Sequence, residues 1–380
     1  MSDVVIEPAP VSPGSAMAPV PDAVLDAVRH IVERDLVPLV HEIDANGVYP
    51  EAIMRSLGAV GAYGLHVPGI AAGVPDLWNA IQAMSIAGEH CLSTAFCMWC
   101  QDALAWYVFT SANEGLKQRL GAKVAAGTVL GGTGLSNPMK TIFGIERMRL
   151  KARRVDGGYV VKGVLPWVSN LGPDHLFGAM FELEDAPHKR VMALVGCSGP
   201  GVKIAQNDAF AALDGTRTFS VQFRDAFIGD DMVLADPIDS YLPRIRSGFI
   251  LLQAGMAFGI IRGCIRLMHQ ARASLTHVNC YLDKQPEDFE AELAGLEATV
   301  QILCETPFST DNDYFRRVVE ARLAAGEASV AAAHFAMLHQ GARGYVAKGA
   351  AQRRLREAYF VAIVTPATKQ LKKMLADMQA

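Results

Sequence analysis

No surplus of positive charge marks this chain: 35 Lys and Arg stand against 39 Asp and Glu, a net charge of −4, with both signs interspersed. That excludes a basic stripe for nucleic acid and a polybasic patch for anionic lipid. Long apolar runs are missing too. The longest stretch without a formal charge, Ser56 to Pro75, approaches the roughly 20 residues of a membrane span, but five glycines, Pro68, Pro75 and His66 interrupt it. No spanning helix and no membrane partner are expected. The first residues, Met1 to Asp22, lack a basic segment followed by an apolar one. Their alternating Pro, Ala and Ser read as a flexible tail (1–21) rather than a signal peptide, which points to the cytoplasm. Paired cysteines are absent as well. The seven cysteines (91, 97, 100, 197, 264, 280 and 304) are odd in number and scattered through apolar contexts, so they read as reduced thiols. Cys97 and Cys100 have a redox or zinc spacing, but no second Cys or His pair follows, and Ser93 to Phe109 reads as a buried helix; no metal is expected.

What is present is apolar mass. With 380 residues, 51% hydrophobic and 19% charged, the chain can bury two or three packed domains. From 22 to 127 apolar residues recur at threes and fours, as in Ala23 to Val32, with Pro38, Pro50, Pro68 and Gly73 between segments; this predicts an N-terminal helical domain. From 128 to 238 the period shortens towards two. Met148–Val155, Tyr159–Val164, Leu176–Leu183, Val191–Cys197 and Phe219–Phe223 read as short strands of a small antiparallel β-barrel. From 239 to 380 helical segments return at Ser247–Ser274, Phe289–Glu305, Tyr314–His339 and Gln352–Val364, a C-terminal four-helix bundle. The expected class is α+β, multidomain, with no internal repeat.

Four segments carry a resemblance. Gly61-Ala62-Tyr63-Gly64-Leu65-His66-Val67-Pro68 is similar to a "GLxGxxVP" turn. Tyr159 to Gly163, followed by Trp167-Val168-Ser169-Asn170, is similar to "YxxNGxKxWITN". Phe219 to Ile228 with Val233-Leu234 is similar to "VxFxDVxVPxxxxL". Gly341-Ala342-Arg343-Gly344-Tyr345 with Arg356-Glu357-Ala358 is similar to "GGxGY…RDA". Together and in order, these segments resemble the acyl-CoA dehydrogenase superfamily over nearly the whole chain after the tail. The resemblance implies an FAD-dependent oxidoreductase with flavin between barrel and bundle. It also implies a homo-oligomer, dimer or tetramer, in which a neighbouring subunit holds the adenosine end.

The resemblance assigns residues as follows. Trp167 supplies an aromatic face and Ser169 a hydrogen-bond donor near flavin N5, two positions apart on a strand and so on one side of it. The bland alternative is that Trp167, after the rigid Pro166, plugs the end of the barrel. Thr133 and Ser136 stand in the place of the "TExxAGSD" loop, where Gly131, Gly132 and Gly134 permit close backbone approach. About four extra residues follow, within Thr141 to Arg147. Gly341 and Gly344, and Thr368 with Lys369, are the remaining cofactor contacts implied, the last two through a hydroxyl and a charge suited to phosphate.

The catalytic base is where the chain departs from the pattern. α,β-Dehydrogenation needs a carboxylate beside the thioester carbonyl, yet the two usual Glu positions hold Thr365 and Phe249. Asp239, Glu357 and Asp377 lie nearby in sequence and read as ordinary surface carboxylates. Three functions follow: oxidation of an acyl thioester, CoA ester or related carbonyl compound with a non-standard or absent base; a reduced-flavin-dependent monooxygenase of the same superfamily; or a non-catalytic binding paralogue. A flavin reductase or an electron acceptor is the partner implied for the two enzymes.

Overall fold

Helix α5 (Leu92–Thr110) is the axis of the molecule: every residue in it except Phe109 is buried. A helix apolar on all faces must be surrounded, and this one is enclosed by segments from both ends of the chain. The computed structural model describes residues 21–67 and 75–379. Residues 1–20 of the expected tail, Pro68 and Gly73 lie outside them, while Pro21, the last residue of that tail, opens a helix. Before the sheet come α1 (Pro21–Ile31), α2 (Val40–Asn46), α3 (Glu51–Ala59), α4 (Leu77–Gly88), α5 and α6 (Glu114–Ala125), with the short α7 (Ser136–Ile142) set among the strands. After the sheet come α8 (Leu242–Leu251), α9 (Ala254–Asn279), α10 (Pro286–Leu303), α11 (Asn312–Gln340), α12 (Ala350–Ile363) and α13 (Thr368–Gln379).

One hydrophobic core serves both helical regions, taking in Met84 of α4, Trp106 of α5, Phe258 of α9 and Phe315 of α11. The α4–α9 crossing is close because both helices offer glycine: a Cβ on Gly259 would fall 2.6 Å from Gly88 Cα. Helix starts follow their caps. Asp76, Asn113 and Asp311 each accept a backbone N–H at the start of α4, α6 and α11. Helix α5 begins after Cys91, which cannot cap it; the Glu357 carboxylate accepts Leu92 N–H at 3.2 Å instead. Glu357 is itself buried against Arg354 at 2.9 Å.

The described residues after Tyr241 form six helices, against the four expected. The run anticipated as one helix breaks between α8 and α9 at Gln253, whose buried side chain is drawn into bonds with Arg322 and Thr365. Val364 to Ala367, with Pro366 among them, then separate α12 from α13. The joined stretch Leu242–Asn279 contains an 18-residue window of mean hydropathy 1.6 and is long and apolar enough to cross a membrane, against expectation. Its most apolar window is 94% buried inside the protein, so that apolarity serves the core.

Eight strands make one sheet: β1 (Gly131–Thr133), β2 (Lys151–Val155), β3 (Gly158–Val168), β4 (Leu176–Leu183), β5 (Arg190–Gly196), β6 (Val202–Gln206), β7 (Phe219–Gly229) and β8 (Val233–Ala235). The order is β6-β7-β3-β2-β4-β5-β8, with β1 pairing β4. The expected antiparallel barrel is corrected in two respects. The path is open between β6 and β8, and the β1–β4 and β2–β4 pairs are parallel. After the β2–β3 hairpin the chain crosses to the far side of β2 before β4 begins, which forces parallel pairing there. A second core, including Phe177, Phe181 and Phe223, fills the inner face.

Candidate active site

Strand β3 delivers the Trp-Val-Ser-Asn segment to the junction between sheet and helices. Val168 points into the sheet core and is fully buried, whereas Trp167 is 48% exposed and packs against Phe210 with ring centroids 5.6 Å apart. A plug would be buried, so the barrel-plug alternative is corrected. Asn170 ends the segment in the left-handed region (φ 63), which Asn tolerates better than most residues. Its side chain donates to Gly131 O at 2.7 Å and accepts from Tyr49 O–H at 2.6 Å. Asn170 therefore fastens β1 and the N-terminal helices to the end of β3.

Trp167 and Ser169 open onto a cavity of about 1140 Å³ between the sheet, α5, α7, α8, α11 and the α12–α13 corner. It also brings together Thr133, Ser136, Phe249, Thr365, Thr368 and Lys369, residues separated by up to two-thirds of the sequence. Phe249 contributes to an aromatic floor, edge-on to Trp99 at 5.0 Å, while Phe96 stacks on the other side of Trp99 at 5.6 Å. Thr133 shares a hydrogen bond with the Tyr107 hydroxyl at 2.9 Å. Ser169, Thr218 and Thr216 form a row of hydroxyls along one wall, 2.7 and 2.8 Å apart in turn.

The two positions examined for a carboxylate both face this cavity, and neither supplies one. Thr365 Oγ1 lies 3.0 Å from Ser136 Oγ. Its carbonyl accepts from Gln253 Nε2 at 3.0 Å, and Gln253 accepts in turn from Arg322 Nε at 2.7 Å. Arg322 also donates to Val361 O at 2.6 Å; it is buried with no carboxylate beside it among the described residues, and burial lowers its pKa to about 10. Among the described lining residues the one carboxylate is Glu327, at the rim, half exposed and paired with Lys372 at 2.8 Å. Glu357 is corrected from surface to interior, where it caps α5, and Asp377 pairs with Lys373.

Other assigned residues fare differently. Gly131, Gly132 and Gly134 serve packing: a Cβ on Gly132 would meet Ser169 O at 2.1 Å, and one on Gly134 would meet Leu165 Cδ1 at 2.8 Å. The Thr368 hydroxyl donates to Ala362 O at 3.0 Å. Lys369 has no ion pair among the described residues and lies in the first turn of α13. Gly341 and Gly344 follow α11 and do not line this cavity. Residues Ser136–Ile142 form α7, and the turn after it is stapled by Asn137, which donates to Arg147 O at 2.9 Å and accepts from Arg149 N–H at 2.9 Å.

Several lining residues escaped sequence reasoning: Phe210, Glu327, Lys140, Arg356, Tyr359 and Ile363. Tyr359 and Ile363 lie four apart on α12 and stay more than half exposed, an apolar face that only the structure reveals. Phe210 lies between strands in a stretch with no motif.

Residues 21–128 match the family described as acyl-CoA dehydrogenase, N-terminal domain. The whole chain is similar to the short-chain specific acyl-CoA dehydrogenase of Homo sapiens mitochondria, 25% identical over 350 residues covering 88% of this chain and 84% of that protein. In three dimensions it is similar to butyryl-CoA dehydrogenase from Megasphaera elsdenii, with a TM-score of 0.83, 15% identity, and coverage of 97% of this chain and 100% of that one. A glutaryl-CoA dehydrogenase from Mycobacterium smegmatis in complex with FADH2 is also similar, with a TM-score of 0.76, 16% identity, and coverage of 95% and 94%.

Proposed function

Because this chain belongs to the acyl-CoA dehydrogenase superfamily, we propose that its Trp167 cavity binds FAD and that the enzyme oxidises an acyl thioester or related carbonyl compound without a resident carboxylate base. The observation that carries this reading is the convergence of Trp167, Ser169, Thr133 and Ser136 on one cavity with Thr365 and Phe249. A volume of about 1140 Å³ exceeds the roughly 300–1,000 Å³ of ordinary small-molecule clefts, leaving room for a dinucleotide and a second ligand. The residues fit such a group. Trp167 offers a half-exposed aromatic face, the hydroxyl row offers polar contacts, and Lys369 offers a cation without an ion-pair partner among the described residues. When bound, FAD supplies a two-electron acceptor.

The chain's own contribution is to orient and to exclude water. Phe96, Trp99 and Phe249 make one end of the cavity apolar, which suits the hydrocarbon part of an acyl group and strengthens polar interactions beside it. The Ser136–Thr365 pair can hydrogen-bond a carbonyl oxygen but cannot take up a proton as a carboxylate does. The proton beside the carbonyl therefore passes to a basic group on the substrate. Gly341 and Gly344, remote from this cavity, suit contact with the cofactor of a second copy in a homo-oligomer, and an electron acceptor completes turnover.

The carboxylate-free inner wall also favours a second reading, a monooxygenase that receives reduced flavin from a separate reductase. FAD-loaded protein mixed anaerobically with an acyl-CoA panel separates the two. Bleaching of the flavin band supports dehydrogenation. No bleaching, with oxygen uptake on addition of a flavin reductase, supports the oxygenase.

A further inference from the structure

The row of hydroxyls on the cavity wall has a direction. Thr216 is buried, and its hydroxyl lies 2.7 Å from Leu213 O, which also accepts the Thr216 backbone N–H at 3.1 Å. A carbonyl only accepts, so the Thr216 proton is committed to Leu213 O. The 2.8 Å contact between Thr216 and Thr218 must then be filled by the Thr218 proton, and the 2.7 Å contact between Thr218 and Ser169 by the Ser169 proton. Three hydroxyl protons fill three contacts, and none remains. Ser169 Oγ is left with lone pairs only for whatever lies in the cavity, the opposite of the donor role expected for it. For Ser169 to donate outward, the whole row would have to reverse and the Thr216 hydroxyl would abandon Leu213 O.

We propose that Thr216 and Thr218 are positioning residues that make Ser169 a hydrogen-bond acceptor, so that the site favours the reduced cofactor. This rests on the FAD reading above and assigns Ser169 to the N5 edge of the flavin. Oxidised N5 is an acceptor and repels a lone pair. Reduction adds two electrons and, at N5, a proton, and the resulting N–H is the donor that Ser169 is arranged to meet. The row thus holds the flavin potential above the value it would have with a free hydroxyl at Ser169.

The test is the flavin midpoint potential of FAD-loaded protein, measured by spectroelectrochemistry with dithionite as electron source and a reference dye. Thr218→Val removes the acceptor of the Ser169 proton, and Thr216→Val frees the Thr218 proton to turn towards Ser169. Each is expected to lower the potential by about 30 mV, a tenfold loss of preference for the reduced form in a two-electron couple. Thr218→Ser, which keeps the row, should retain the wild-type value. Unchanged potential in both valine variants with FAD still bound overturns this inference alone. Failure of wild-type protein to bind FAD overturns the flavin reading and this inference with it.

Discussion

Thr365 Oγ1 lies 3.0 Å from Ser136 Oγ, joining the corner between α12 and α13 to the start of α7. Two hydroxyls thus meet on the wall of the cavity. Thr365→Glu restores a carboxylate to the cavity. A positioned general base contributes on the order of 10² to 10⁴-fold. Anaerobic flavin reduction by acyl-CoA should therefore accelerate at least about tenfold in Thr365→Glu, measured by stopped flow. Reduction no faster than wild type would show that proton removal does not limit the reaction.

Arg322 holds Val361 O and, through Gln253, the carbonyl of Thr365. Arg322→Ala leaves two buried acceptors without donors. Hydrogen bonds to charged groups contribute about 1.5–3 kcal/mol each, and relief of the guanidinium's own desolvation offsets part of that. Urea unfolding should show a loss of roughly 2–4 kcal/mol. A smaller loss would mean that water replaces the guanidinium.

Much of this arrangement was legible in the chain. Trp167 and Ser169 were readable because they share one motif at the end of β3, and Thr365 and Phe249 because the resemblance singles out their two positions. Glu357 was misplaced on the surface because its burial depends on Arg354 and on the uncapped start of α5, both set by tertiary packing. Strand β6 was missed because only Val202 and Ile204 of its five residues face the core, too few to mark a period of two in the sequence. The direction of the Ser169 hydroxyl depends on Leu213 O, a backbone group that no sequence pattern exposes.

Asn137 staples the turn after α7 through two backbone groups and Glu146. Asn137→Ala orphans them at a cost of about 2 kcal/mol. Limited proteolysis should cut the variant within 143–147 faster than wild type; equal rates would show that the turn holds without it.

His90 gives stability a pH dependence. Partial burial, then the charges of Arg266, Arg354 and Arg353, lower its pKa from 6.5 to about 4. The folded state resists a proton that the unfolded chain accepts, so this contribution is present above pH 6.5 and is lost as pH falls from 6.5 towards 4. Discounted for solvent exposure, the loss by pH 5 is about 1 kcal/mol. Urea unfolding at pH 7.5 and pH 5 should show His90→Gln losing less stability than wild type by that amount. Equal losses would remove His90 as the cause.

Equilibrium titration of apoprotein with FAD, followed by flavin absorbance and tryptophan quenching, tests the central claim most directly. The account predicts saturable binding of one FAD per chain, weakened roughly fivefold by Trp167→Ala for the loss of about 1 kcal/mol of aromatic contact. Protein that takes up no FAD, or a Trp167→Ala variant that binds it as tightly as wild type, would contradict the placement of the cofactor in this cavity.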